Sequence, residues 1–195
     1  MNIQFEGPMR KIYLPLVLLI SACSVYEELP SDYDYSFKGK FRTYDTFDFF
    51  QEESYRDDGS LFTKESIENV IAARMRSQGY SQRDKNPNLL VMYKIFYDSL
   101  SLTGYKQPEL EEWIKYEDEN IEYVERKYQL RMGTLYISFF DRKQKRTVWQ
   151  GYATKVYGND MFTNERLLRN AVRSVLNRYR VVSESFSKTI KERRF

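Results

Sequence analysis

The side chains able to do chemistry in this chain are carboxylates, hydroxyls and aromatic rings. Acidic residues crowd one segment, from Glu109 through Glu111, Glu112, Glu117, Asp118, Glu119 and Glu122 to Glu125, opposed by Lys115 and Arg126. Two carboxylates can hydrolyse a glycosidic bond, but only where unlike surroundings drive their proton affinities apart. Packed into one run, they read as a solvated face. Asp118-Glu119-Asn120 lacks the alternating oxygen ligands and central glycine of a calcium loop, so no metal is expected. The 195 residues include no histidine and one cysteine. That excludes Ser-His-Asp and Cys-His catalysis, imidazole metal ligands, an intrachain disulfide and a zinc knuckle. There is no phosphate-cradling glycine loop and no dinucleotide fingerprint, so no cofactor is expected. With 31 Lys plus Arg against 28 Asp plus Glu, the net charge of +3 does not point to nucleic acid. The expectation is a protein that is not an enzyme. Aromatics are abundant, with 17 Tyr, 13 Phe and 2 Trp. Tyrosine suits half-buried strands, which accounts for most of them. Tyr105, Trp113, Tyr116 and Tyr123, set among charges, are the candidate interaction surface for a protein or a glycan.

The lone cysteine closes the run Ile12 to Ile20, Ser21, Ala22, Cys23, which follows Arg10-Lys11. A bilayer span needs about 20 apolar residues, so this run is too short to cross. Its basic flank, short apolar centre and small residues have the three parts of an export signal. Ile20-Ser21-Ala22-Cys23 resembles the lipobox of bacterial lipoproteins, in which the thiol is diacylated and the signal is cut before it. The resemblance implies a signal peptide over 1–22, lipid on Cys23 and anchoring to, not across, the membrane. Ser24 after the cysteine matches an outer-membrane sorting pattern. Met9 directly precedes Arg10, which makes it an alternative start to Met1.

The remaining chain must position these groups. Residues 23–40 read as lipidated cysteine and tether, and 41–182 as one domain. The alternation Phe41, Thr43, Asp45, Phe47, Phe49 predicts a first strand. Asp57-Asp58-Gly59 is a turn signal, and a helix follows with Ile67, Val70, Ile71 and Met75 on one stripe and Gly79 at its C-cap. Leu89 to Leu100 predicts a second strand, whose core face is Leu89, Val91, Tyr93, Ile95 and Tyr97. Residues 101–126 form an acidic, aromatic excursion, either with a short helix around Trp113 or as an irregular loop. Leu135, Ile137 and Phe139 mark one face of a third strand, and Trp149, Gly151 and Ala153 one face of a fourth, with a polar turn between that begins at Asp141. Gly151 leaves room for a ring. After the break at Gly158-Asn159-Asp160, Leu167, Leu168, Ala171, Val172, Val175, Leu176 and Tyr179 predict an amphipathic helix. Residues 183–195 read as a basic tail. The expected architecture is α+β: a mainly antiparallel four-stranded sheet with two helices packed on one face.

Several stretches together resemble a family of bacterial lipoproteins known only as domain of unknown function 4136. They are Asp32-Tyr33-Asp34 with Phe41, Tyr44 and Phe47; the helix end at Gly79-Tyr80; and above all Gly133-Thr134-Leu135-Tyr136-Ile137-Ser138-Phe139-Phe140-Asp141 followed by Val148-Trp149-Gln150-Gly151. The resemblance covers roughly residues 32 to 180. It implies a small α+β domain tethered to the envelope membrane, with no assigned activity and no agreed catalytic residues. The chain departs from the family pattern at Asn86-Pro87-Asn88-Leu89, in its acidic excursion and in its basic tail. The expected function is therefore a non-enzymatic binding or scaffold module of the bacterial envelope, lipid-anchored at the outer membrane. The alternative is a carboxylate-dependent hydrolase of envelope or extracellular polysaccharide.

Overall fold

The computed structural model describes residues 29–50, 64–96, 98–116, 124–130, 133–154 and 165–193. The lipobox, Cys23, Tyr123 and the turns at Asp57-Asp58-Gly59 and Gly158-Asn159-Asp160 lie outside the described residues. In chain order the elements are β1 (Ser31–Tyr35), β2 (Thr46–Phe49), α1 (Lys64–Ser77), β3 (Ser81–Gln82), β4 (Leu89–Phe96), β5 (Leu100–Lys106), α2 (Leu110–Tyr116), β6 (Val124–Leu130), β7 (Thr134–Asp141), β8 (Arg146–Ala153), α3 (Glu165–Leu176) and α4 (Glu184–Glu192).

The expected four-stranded antiparallel sheet with two helices is overturned. Six strands form one mixed sheet in the order β1-β8-β7-β4-β2-β3, β5 and β6 pair separately, and the described residues contain four α-helices. Three local causes explain the difference. Asp32-Tyr33-Asp34-Tyr35, read as tether, alternates with the period of a strand and pairs antiparallel with β8, from Ser31 opposite Ala153 to Tyr35 opposite Trp149. Phe41–Thr43 is a 3-10 turn, so the expected first strand begins only at Thr46. Finally, β2 and β4 are joined through α1, and a helical crossover returns the chain parallel. Gly79 ends α1 in the left-handed conformation at φ +89°, which a residue with a side chain rarely adopts. From there Ser81 N donates to Asp45 O and Arg83 N to Phe47 O, and two residues suffice for the edge strand β3.

The strands β7 and β8 match their sequence pattern. Leu135, Ile137 and Phe139 are buried against Trp149 and Ala153, and the same core takes Leu89 and Val91 from β4, Ile67, Ile71 and Met75 from α1, and Leu168, Val172 and Val175 from α3. Each such aliphatic side chain contributes about 1.5–3 kcal/mol of burial. The centre is aromatic: Trp149 stacks on Phe139 at 4.8 Å between ring centres, and Tyr179 meets both edge-on. A Cβ on Gly151 would lie 2.5 Å from the Trp149 ring, so the glycine does leave room for it. Tyr179 is fully buried, and its hydroxyl is paired with that of Tyr80 at 2.9 Å, which offsets the cost of removing both from water.

The C-terminal segment is docked. Ser183 caps α4 by accepting from Phe186 N at 3.3 Å, while Glu184 N donates to Tyr44 O and Ser185 N to the Asp45 carboxylate at 2.7 Å.

Candidate functional site

Strands β5 and β6, with α2 between them, make an arm that folds along the outer edge of β1. The contact is built from the two sequence features that alternate in β1, tyrosine and aspartate. Tyr35 N donates to Gln107 Oε1 at 3.1 Å, and Gln107 Nε2 donates to Tyr35 O at 2.6 Å. One side-chain amide thus does for β1 what the peptide of a neighbouring strand would do, and closes an edge open to other chains. The Tyr35 hydroxyl donates to Pro108 O at 2.9 Å, the Tyr33 hydroxyl donates to Glu109 at 2.9 Å, and the same Tyr33 oxygen accepts from Leu110 N. Arg126 of β6 stands 3.6 Å from Asp32 and 5.0 Å from the centre of the Tyr128 ring. The arm comes this close because residue 104 is glycine. A Cβ there would sit 2.8 Å from Asp34 Oδ2 and 2.8 Å from the Tyr128 ring.

Between arm and sheet lies a cleft of about 320 Å³, lined among others by Asp34, Tyr105, Gln107, Thr147 and Gln150. Its polar groups are connected. The Tyr136 hydroxyl donates to Gln150 Oε1 at 2.8 Å, which leaves the Gln150 amide nitrogen to donate to Asp34. Burial pushes the Asp34 carboxyl above the ordinary carboxylate range. The backbone N–H groups of Tyr35 and Tyr105 and the Gln150 amide pull the other way without cancelling it, and nearby Asp32 adds to the rise. Burial likewise pushes the Tyr152 and Tyr128 hydroxyls up, with Asp32 adding to both. The arrangement offers a half-buried carboxyl, an oriented amide and tyrosine rings around a space of small-molecule size.

Of the candidate interaction residues, Tyr105 lines this cleft and is 42% exposed. Trp113 is not an open platform. A short helix, α2, does form around it, and this turns the indole onto the core, with ring centres 5.8 Å from Tyr35, 5.5 Å from Phe37 and 6.1 Å from Phe41. Tyr116, at the end of α2, is 69% exposed and stands beneath the Lys115 ammonium at 5.0 Å. Asp34, Gln107 and Gln150 were not singled out from the sequence. The signal for Asp34 was present in the Asp-Tyr-Asp-Tyr alternation, whereas nothing local marks Gln107, whose partner lies 72 residues away. Asp141 behaves as the turn residue its position suggested: its carboxylate accepts from Gln144 N at 2.8 Å, from Gln144 Nε2 at 2.9 Å and from the Tyr44 hydroxyl at 2.7 Å.

Among the described residues no group of three or more His, Cys, Asp or Glu is placed to hold a metal ion. No helix among them is long and apolar enough to cross a membrane.

The family profile described as "Domain of unknown function (DUF4136)" matches residues 31–179. The chain belongs to the DUF4136 family. No curated protein matches it. Among solved structures, this DUF4136 chain is similar to a PDZ domain protein from Parabacteroides distasonis, with 14% identity, a TM-score of 0.48 and 75% of this chain covered. It spans only 35% of that protein's length. It is also similar to a PelC dodecamer from Paraburkholderia phytofirmans, with 12% identity, a TM-score of 0.41 and coverage of 78% of this chain and 97% of the other.

Proposed function

We propose that this DUF4136 protein is a non-enzymatic module of the bacterial cell envelope, held to the outer membrane by lipid on Cys23, that binds a glycan in the cleft beneath its arm. The observation that carries the reading is the pair Asp34 and Gln150, which line the cleft beside Tyr105, with Gln150 held by the Tyr136 hydroxyl. Sugars present hydroxyls that both donate and accept, and ring faces that lie flat on aromatics. An oriented amide, a carboxyl and an exposed tyrosine meet both needs. The anchoring half of the reading is supported by the basic flank, short apolar run and Ile20-Ser21-Ala22-Cys23. Polysaccharide extracted from the native envelope should bind the protein, with Tyr105→Ala or Gln150→Ala weakening it roughly tenfold, the loss of one or two good contacts. Tyr116→Ala should bind like the parent. Parental binding by both cleft variants would sink the assignment. Cys23→Ser should leave the protein unacylated and release it from the membrane fraction, and unchanged fractionation would sink the anchor.

One observation favours a second reading, a carboxylate-dependent hydrolase. Asp32 and Asp34 stand two residues apart on one face of β1 in unlike surroundings, the first facing Arg126 and the second desolvated. Under that reading the protein releases reducing ends from the bound polysaccharide, and Asp34→Asn stops the release. Under the leading one, neither parent nor variant releases any.

A further inference from the structure

The turn between β7 and β8 carries Arg142, Lys143 and Lys145, all exposed. It faces the 3-10 turn that bears Lys40 and the loop Asn86-Pro87-Asn88 across a cleft of about 1190 Å³. Four cationic side chains line this space with a single carboxylate, Asp141. That carboxylate is only 3% exposed and already serves the Tyr44 hydroxyl and two Gln144 donors. Its negative charge is thus turned to the fold, and the cations around the rim are left to the solvent side. Among the described residues no carboxylate lies within ion-pair distance of Lys40, Lys143 or Lys145. Arg142 is held in place by donating from Nη1 to Asn86 Oδ1 at 2.5 Å and from its backbone N–H to Asn88 O at 3.1 Å. The backbone is unusual at both rims: Asn86 and Lys145 adopt φ of 54° and 55°, the described non-glycine residues in the left-handed region. Left-handed residues closing tight turns are a common source of anion-binding concavities, and residues in such conformations concentrate at functional sites.

We propose that this cleft is a second binding site, for a ligand that carries phosphate groups. Several ammonium groups and one fixed guanidinium suit a compact, multiply charged oxyanion better than a single carboxylate, because each lysine acts as a point charge and the arginine supplies directed donors. The site is separate from the glycan cleft and its existence does not rest on that reading. Its position also bears on the source of the phosphate. The first described strand, β1, begins opposite Ala153, whereas the cationic turn precedes Arg146 at the other end of β8. An eight-residue strand puts about 24 Å between them. With the anchor proposed above, the headgroups of the protein's own membrane lie at the far end, so the ligand is a soluble or polymer-borne phosphate.

The test uses the full chain in detergent and inorganic tripolyphosphate as the probe, followed by calorimetry at low and physiological salt. The parent should bind, with affinity falling as salt rises. The paired variant Lys143→Glu, Lys145→Glu should lose affinity at least about tenfold, while Arg166→Glu, Arg169→Glu on the exposed face of α3 changes the same net charge and should bind like the parent. Retained binding in the turn variant, equal loss in the α3 variant, or no binding by the parent overturns the site. Vesicles of phosphatidylglycerol and phosphatidylcholine form a second arm. Vesicle binding that the turn variant abolishes would assign the phosphate to a lipid headgroup and overturn the soluble source; vesicle binding indifferent to the turn supports it.

Discussion

Two aspartates on strands that flank β8 respond oppositely to their surroundings. Burial alone would raise the Asp141 carboxyl, but the Gln144 N–H, the Tyr44 hydroxyl, the Gln144 amide and the Lys143 N–H outweigh it and hold it below the ordinary range. A carboxyl lowered in the folded state contributes stability above its unfolded value near 3.9, and that contribution disappears as pH falls through the folded value. Asp34 has the reverse sign. Its folded value is raised, so stability falls as pH climbs from about 3.9 through that value. Asp141→Ala should therefore lower stability by about 1–3 kcal/mol at neutral pH, because it strands the Tyr44 hydroxyl, and the deficit should shrink in acid. Asp34→Asn should melt at the same temperature as the parent, or higher, at neutral pH. Denaturant unfolding across pH 3–8 checks both, and a drop in stability for Asp34→Asn at neutral pH contradicts the assignment. The difference explains what was legible. Asp141 announces itself by sitting between a strand and a run of polar residues. Asp34 falls in a stretch that reads as tether, and the arm that buries it comes from 70 residues downstream.

At the scale of elements, the arm and α4 are both held by contacts distant in sequence. Gln107→Ala should leave the Tyr35 amide with the Asp34 carboxylate as its remaining acceptor, so it should exchange with deuterium faster while amides in β7 hold their rates. Loss of two backbone hydrogen bonds predicts a stability decrease of about 1–3 kcal/mol. Gly79→Ala is the matching change at the other end. It forces a side chain into the left-handed region and puts its Cβ 2.4 Å from Phe186 Cβ, so α4 must move. Trypsin should then cut at Lys188 and Lys191 faster than in the parent, and an unchanged cleavage rate would show that α4 is not docked as described. The elements that could be read were those whose period is satisfied within themselves: α1, α3, β7 and β8 each carry an uninterrupted apolar stripe. The six-stranded order could not be read. β1 spends one face on aspartates that the arm covers, β3 is two residues long, and whether β2 and β4 run parallel depends on how the chain returns from α1, not on either strand's composition. The excursion was ambiguous for the same reason. Its strands expose most of their residues, and Trp113 looked like a surface ring because its partners Tyr35, Phe37 and Phe41 lie far upstream.

At the scale of the molecule, the first described residue, Leu29, donates its N–H to Ser174 Oγ at 3.0 Å, and Pro30 O accepts from Thr154 N. Only residues 24–28 separate Cys23 from that point, a reach of roughly 20 Å at full extension. In the proposed anchored state the domain works close to one bilayer. An insertion of about 20 Gly/Ser residues after Glu28 should leave melting temperature unchanged, because it falls before the first described strand. A membrane-proximal fluorophore pair, one in lipid and one on the domain, should report greater separation. The same geometry makes β1 the strand through which any pull on the N-terminal side enters the domain. It runs antiparallel to β8 along its whole length on one side and is gripped at Tyr35 by the Gln107 amide on the other. Force applied at Leu29 is thus resisted first by a hydrogen bond to a buried helix serine and then by β1 itself. The arm works as a clasp: as long as Gln107 holds, a drag on the anchor strains the sheet before it can peel away the strand that carries Asp34.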